Sequence, residues 1–145
     1  MKLSSRARYG MRAILDLAIE YGKPPLQIKA IAEREDISNK YLEQLIAMLK
    51  AAGLVRSIRG PRGGYLLAKP PAEITLKEVF TTLEGPMVPA ECLEHPEFCA
   101  RCMDCVTRQV WAELRDAVNR VLESQTLADL VEKALTGKKH NNYQI

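Results

Sequence analysis

The sequence has only two histidines in 145 residues. His95 and His140 lie in segments predicted as a loop and a tail, neither with a serine or carboxylate arranged beside it, so hydrolytic and nucleophilic catalysis find no machinery here. Long apolar runs are also missing. Asp16 and Glu20 break the one stretch near the start that approaches such a run, and this excludes a secretory leader and a membrane span as readings of that segment. No repeat or low-complexity tract is visible. Cysteine is absent everywhere except 14 consecutive positions, which hold all four: Cys92, Cys99, Cys102 and Cys105. The expected compartment is the cytoplasm, where thiols stay reduced, and a cluster of four there favours metal or redox chemistry over a disulfide framework.

What is present suits a folded domain, with 47% hydrophobic residues. The net charge of +3 hides an asymmetry. Residues 1–80 carry 14 Lys and Arg against 8 Asp and Glu, and residues 81–145 carry 7 against 10, giving +6 and −3. A basic first half suits a polyanionic partner, although excess charge of that size is also found on ordinary solvated surfaces.

Taken in order, Ser4 or Ser5 caps a first helix whose apolar residues recur at three- and four-residue spacing until Gly22, Pro24 and Pro25 stop it. A second helix is predicted over 28–34, followed by a tight turn at 35–37. Ser38 caps a third, with Tyr41, Leu42, Leu45, Ile46, Leu49 and Ala52 on one face and Asn39, Lys40, Glu43, Gln44 and Ala47 on the other. Two short helices joined by such a turn, the second with polar side chains at its exposed start, make a helix-turn-helix. An ordinary helical hairpin would share that pattern. The next stretch shifts the balance: residues 54–67 alternate as two short strands around a Gly/Pro turn, which a plain hairpin would share, with Arg56, Arg59 and Arg62 projecting and Gly60, Gly63 and Gly64 in or near the tip. It lacks the Lys-Ser/Thr of a phosphate-binding P-loop. Helix-turn-helix plus basic wing predicts a winged-helix reader of double-stranded DNA.

Thr75 caps a further helix over 76–84, ended by Gly85 and Pro86. Beyond the cysteines a longer helix carries Val106, Val110, Trp111, Leu114, Val118, Val121 and Leu122 on one face. A partner subunit is the simplest cover for it, since such readers work as two-fold dimers on palindromic sites. Packing back onto the first helix is the alternative. A last short helix is predicted over 127–135.

The cysteine spacing is Cys-x6-Cys-x2-Cys-x2-Cys. Successive two-residue gaps suit a loop wrapped around an iron–sulfur cluster, whereas a zinc site shows two separated pairs. The spacing therefore favours a cluster, with zinc and metal-free redox thiols left as alternatives. His95 is a further possible ligand, and Arg101 and Arg108 are candidates for hydrogen bonds to cluster sulfides or for pairing with Glu97 and Asp104.

Three stretches, Leu3-Ser4-Ser5-Arg6-Ala7-Arg8-Tyr9, Ile37-Ser38-Asn39-Lys40-Tyr41-Leu42-Glu43-Gln44-Leu45, and Gly53-Leu54-Val55-Arg56-Ser57-Ile58-Arg59-Gly60-Pro61-Arg62-Gly63-Gly64-Tyr65, carry a resemblance over residues 1–135. With them the sequence resembles the IscR/NsrR-type (Rrf) family of bacterial transcription regulators, winged-helix dimers that sense iron–sulfur status, nitric oxide or iron. The resemblance implies a recognition helix entering the major groove through residues such as Ser38, Lys40 and Glu43, with Arg59 and the wing on the neighbouring groove. It also implies a cluster held by three cysteines, matched here by Cys92, Cys99 and Cys105. Where relatives add a histidine three residues past the last cysteine this chain has Arg108, and where others use an acid near position 8 of the partner it has Arg8. Cys102 is then the thiol placed to complete an all-cysteine site.

The organisation expected is mainly α with a small β-wing: a DNA-binding domain over 1–84, a cysteine-rich loop over 85–105, a dimerisation helix and C-terminal helix over 106–136, and a flexible tail over 137–145. The function expected is a homodimeric, non-enzymatic DNA-binding regulator of repressor type. Its operator binding would be governed by a [2Fe–2S] or [4Fe–4S] cluster on Cys92, Cys99, Cys102 and Cys105, answering to iron–sulfur status, iron, nitric oxide or redox state. The DNA contacts expected are Ser38, Asn39, Lys40, Glu43, Arg56, Arg59, Gly60, Arg62 and Gly63. Zinc-stapled or thiol-redox control is the alternative, and an electron-transfer protein a weaker one, since it leaves the basic wing without a purpose.

Overall fold

The computed structural model describes residues 2–142. The first helix, α1 (Ser5–Ile19), starts where the Ser4 hydroxyl accepts from the Ala7 N–H at 3.1 Å, which satisfies one of the orphan donors of the first turn. That hydroxyl also donates to the Glu84 carboxylate at the far end of α4 (Leu76–Glu84), fastening the start of one helix to the end of another. The second helix, α2 (Ile28–Glu35), ends on Asp36, whose φ of 54° is the one left-handed non-glycine conformation among the described residues. Aspartate tolerates that region better than most residues, and the chain reverses there. Ser38 then caps α3 (Asn39–Ala51), accepting from the Tyr41 N–H at 3.1 Å.

β1 (Val55–Ile58) pairs antiparallel with β2 (Gly64–Leu67), Val55 opposite Leu67 and Ile58 opposite Gly64. Leu26 adds an isolated bridge to Tyr65, with N···O distances of 2.7 and 3.0 Å, so the wing is tied to the chain entering α2. Thr75 begins α4 with a reciprocal capping box to Glu78. Leu42, Leu45, Ile46 and Leu49 of α3 are buried against Ile14, Ile31, Val79 and Leu83. Each such side chain contributes about 1.5–3 kcal/mol when fully buried.

In the last third the alternative of the long helix packing back onto α1 is not what the structure shows, and the final helix is longer than predicted. The long helix α5 (Val106–Glu123) has no buried residue, and it packs against α4 and the 3-10 turn at Glu91–Leu93. The helix that covers α1 is instead α6 (Leu127–Asn142), which places Leu127 in the core; the Leu127 N–H donates to the Ile74 carbonyl at 2.9 Å, and the Gln125 carbonyl just before α6 accepts from the Leu76 N–H at 2.9 Å. α6 also runs beyond the predicted end at 135. Gly137 does not stop it, because a glycine inside a helix costs only about 1 kcal/mol. Residues 137–142 of the expected tail are thus helical, and 143–145 lie outside the described residues. No helix among the described residues is long and apolar enough to cross a membrane.

Candidate nucleic-acid interface and cysteine loop

The exposed side of α3 is the polar face expected from its periodicity. Asn39, Lys40, Glu43, Gln44 and Ala47 all face solvent, and Lys50 extends the same stripe by one turn. Lys50 was not among the expected contacts, although its three- and seven-residue spacing from Ala47 and Glu43 is the signal that finds it. Ser38 uses its hydroxyl to cap the helix. Tyr41, half-buried in the first turn, meets the Tyr9 ring edge-on at 6.2 Å, and the Arg8 and Arg12 guanidiniums lie 6.0 and 5.6 Å from the Tyr9 centroid. Two arginines of α1 therefore lie by the tyrosine that meets the start of α3, a placement that depends on tertiary packing and has no local sequence signal.

On the wing, Arg56, Arg59, Gly60 and Arg62 are exposed, and among the described residues none of the three arginines pairs with an acid. An unpaired, solvated guanidinium keeps its full donor set for phosphate or guanine. Gly63 is buried within the hairpin. Its N–H donates to the Gly60 carbonyl at 2.9 Å, and a Cβ there would fall 2.0 Å from the Ile58 carbonyl oxygen. Gly63 thus makes the tip rather than facing outward. Gly63→Ala is expected to destabilise the hairpin by about 1–3 kcal/mol, the usual cost of forced overpacking. DNA affinity should fall several-fold while helix content, read by circular dichroism, is unchanged; an intact affinity would show that the tip geometry is dispensable.

The four thiols are all free. Cys92 lies in the 3-10 turn Glu91–Leu93, Cys99 is exposed after the turn Pro96–Phe98, Cys102 is buried, and Cys105 caps α5. One carbonyl organises the loop: Cys92 O accepts from Arg108 Nε and Nη2 at 3.4 Å each and lies 3.7 Å from Cys102 Sγ. Arg108, in the first turn of α5, so holds the start of the loop against its end. Cys105 Sγ is 3.2 Å from Thr107 Oγ1, and this hydrogen bond, aided by the Arg108 and Thr107 backbone N–H groups, lowers the thiol pKa below its ordinary value. His95 turns to Glu97, Nδ1 to Oε1 3.2 Å, and packs on Phe98; Arg101 is exposed.

Among the described residues, no three thiol, imidazole or carboxylate groups are gathered into a set that could hold a metal ion. The donor chemistry nevertheless fits a thiolate-ligated group, with four unbridged cysteines on short turns. Cys105 and Arg108 stand at the formed start of α5, and the other three thiols lie in the loop before it.

A family model described as Rrf2, iron-dependent transcriptional regulator, matches residues 3–133. The HTH-type transcriptional regulator CymR of Bacillus subtilis is 44% identical over 130 residues, covering 90% of this chain and 89% of that protein. The solved structure of the same regulator, described as the global cysteine regulator of B. subtilis, superposes with a TM-score of 0.79 at 41% identity over 92% of this chain and 98% of the other. The structure of T. potens IscR gives 0.76 at 40% identity, covering 92% and 88%.

Proposed function

The chain belongs to the Rrf2 family of DNA-binding transcriptional regulators, and from that premise we propose that it acts as a homodimeric repressor on a palindromic operator, with the 92–105 loop as its sensor. The observation that carries this reading is the arrangement of one polar helix face and one wing of unpaired arginines on a chain whose α5 leaves its apolar face uncovered. In the major groove Lys40 donates to base or phosphate acceptors, while Glu43 accepts from cytosine N4 and repels phosphate, so it selects sequence. Arg59 and its neighbours on the wing meet the adjoining groove or backbone.

The loop is joined to this interface through α5. Arg108 couples the Cys92 carbonyl to the first turn of α5, α5 rests on α4, and Lys77 of α4 pairs with Glu123 near the other end of α5 at 2.5 Å. Cys92, Cys99, Cys102 and Cys105 would hold an iron–sulfur cluster, which supplies a cross-link of the loop that is labile to oxidants and nitric oxide. A tenfold change in operator affinity needs only about 1.4 kcal/mol of coupling between the loop and the recognition helices.

Control by the thiols without a metal is a second reading, favoured by the four dispersed free cysteines and the hydrogen-bonded, acidified Cys105, and by the likeness to a regulator described as governing cysteine. Zinc in the same thiolates is a third occupant. The discriminating experiment is the absorption spectrum with iron, sulfide and zinc analysis of protein purified without oxygen. The cluster reading expects a brown protein with matched iron and sulfide, bleached by air or nitric oxide together with a change in DNA affinity. Colourless protein with stoichiometric zinc overturns it. Colourless, metal-free protein whose affinity follows thiol oxidation overturns it in favour of the second reading.

A further inference from the structure

We propose that the cavity between α4, the connecting segment 86–88 and α5 is a binding site for a small zwitterion, a free α-amino acid, which bridges the cysteine loop to α5. The site stands apart from the thiols and from the polar face of α3, and it does not depend on what the cysteines hold.

The cavity measures about 280 Å³, close to the lower bound of about 300 Å³ for small-molecule sites. That size suits a small metabolite rather than a nucleotide or a peptide. Part of its wall is apolar, from Phe80 of α4, Met87 of the connecting segment and Leu122 of α5. The polar part carries both signs of charge: Lys77 of α4, Arg115 and Asn119 of α5, and Glu94 of the cysteine loop line the same space. Lys77 is committed to Glu123 at 2.5 Å. Arg115 gives only its Nε to Asp116, at 3.1 Å, and a solvated pair of that kind is worth little. Its two terminal nitrogens therefore keep their donors. Glu94 makes no ion pair among the described residues, so these opposite charges face one cavity without pairing with each other.

Opposite charges held apart beside a shared apolar wall fit a ligand that carries both. A carboxylate meets the terminal fork of Arg115, where planar two-point recognition is strongest. An ammonium meets Glu94. The Asn119 amide, donor and acceptor together, serves either group, and a short apolar side chain covers Phe80 and Met87. A phosphate or a dicarboxylate would meet Glu94 as a like charge, and a simple amine would leave Arg115 unanswered.

Arg108, Arg115, Asn119 and Leu122 recur at three-, four- and seven-residue spacing, so they share one face of α5. The exposed apolar residues Val110, Leu114 and Val121 stand on another face, and a partner subunit seated there leaves the cavity open. Arg108 already binds the Cys92 carbonyl. Glu94 ends the same 3-10 turn as Cys92, a turn closed by the Glu94 and His95 N–H groups on the Glu91 carbonyl at 3.1 and 2.9 Å. A ligand joining Glu94 to Arg115 adds a second tie between loop and helix and holds that turn more firmly.

The test titrates the full chain, purified without oxygen, with each of the common α-amino acids singly by calorimetry. At least one is expected to bind saturably with a Kd of about 10 µM to 1 mM, the range open to a ligand of about six to ten heavy atoms. Its carboxamide, which lacks the carboxylate, and its N-acetyl derivative, which lacks the ammonium, should each bind about tenfold or more weakly, the loss that goes with one charged hydrogen bond. Arg115→Gln and Glu94→Gln should do the same while circular dichroism is unchanged. Saturable binding by no amino acid overturns the site, as does binding that survives both substitutions or that treats the carboxamide as the parent. Hydrogen exchange of the 91–95 amides is expected to slow several-fold on saturation, and unchanged exchange overturns the bridge to the loop. Neither measurement uses DNA or a metal, so a failure of the regulator or cluster reading leaves these results standing.

Discussion

Replacing Leu114 with aspartate is expected to give a monomer and to lower affinity for a two-half-site operator by about 10²–10⁴-fold, the gain that linking two binding modules ordinarily provides. The expectation comes from the surface of α5. Val106 is 72% exposed, Val110 47%, Trp111 38%, Leu114 42% and Val121 56%, at spacings that put them along one helical stripe. A contiguous apolar stripe of that kind calls for a partner, and a two-fold dimer would place the same stripe against itself. A buried aspartate at its centre would face its own symmetry mate, adding like-charge repulsion to the lost apolar contact. Leu114 takes no part in the core of the single chain, so helix content should survive. Sedimentation reads the assembly state, and DNA containing one half-site separates the causes. Wild type and variant should bind the single half-site equally if only dimerisation is lost. A variant that remains dimeric would show that the two chains meet elsewhere.

If the cysteine loop governs DNA binding as proposed, the same geometry gives it a route. α5 is a lever with different neighbours at its two ends. Cys105 and Arg108 tie its start to the cysteine loop, and Lys77 ties its end to α4 through Glu123. The chain then passes through Gln125, whose carbonyl accepts from the Leu76 N–H at the beginning of α4, into α6 and back onto α1. A shift of α5 against its partner would therefore move the DNA-binding half as a packed body, and close-packed interiors transmit such shifts rather than absorbing them.

Much of this arrangement is written locally in the sequence. Ser4, Ser38 and Thr75 each accept from a backbone N–H three residues on, so the starts of α1, α3 and α4 depend on short-range chemistry that a reader can recognise. The strands at 55–58 and 64–67 follow from alternation around a glycine turn. Tertiary relations were not legible. Nothing local says that α6 rather than α5 covers α1, since both carry apolar stripes and the choice depends on the Ile74–Leu127 and Leu76–Gln125 backbone bonds. Gly63 looks from its sequence like a flexible tip residue, and only the path of the Ile58 carbonyl shows it to be packed. Glu35 falls in a predicted turn, and its burial has no local signal because helical periodicity does not reveal which helix will lie against it. The cysteine spacing names a donor set, but spacing alone does not fix where the thiols rest: Cys102 is buried beneath the Cys92 carbonyl while Cys99 faces solvent.

Substituting Arg56, Arg59 and Arg62 together by alanine is expected to cost about a thousandfold in affinity at low salt, taking roughly 1.5 kcal/mol for each charged hydrogen bond lost. The dependence of log affinity on log salt should also become shallower by about 0.9 for each phosphate contact removed, up to about 2.7 for three. Stability should change little, because exposed side chains without partners are ordinarily worth within about 0.5 kcal/mol of alanine, and these three are exposed and form no ion pair among the described residues. Anisotropy titrations at several salt concentrations check both numbers at once. The single variants then divide the wing by function: loss of slope with unchanged sequence preference marks a phosphate contact, whereas an unchanged slope with relaxed preference at one base pair marks a contact to a base edge. Arg59 stands beside the exposed Gly60 at the tip, where φ is 108° and the backbone turns away without a side chain to obstruct DNA, and it is the position at which the second outcome is expected. A triple variant with wild-type slope and affinity would remove the wing from the interface and leave recognition to α3 alone.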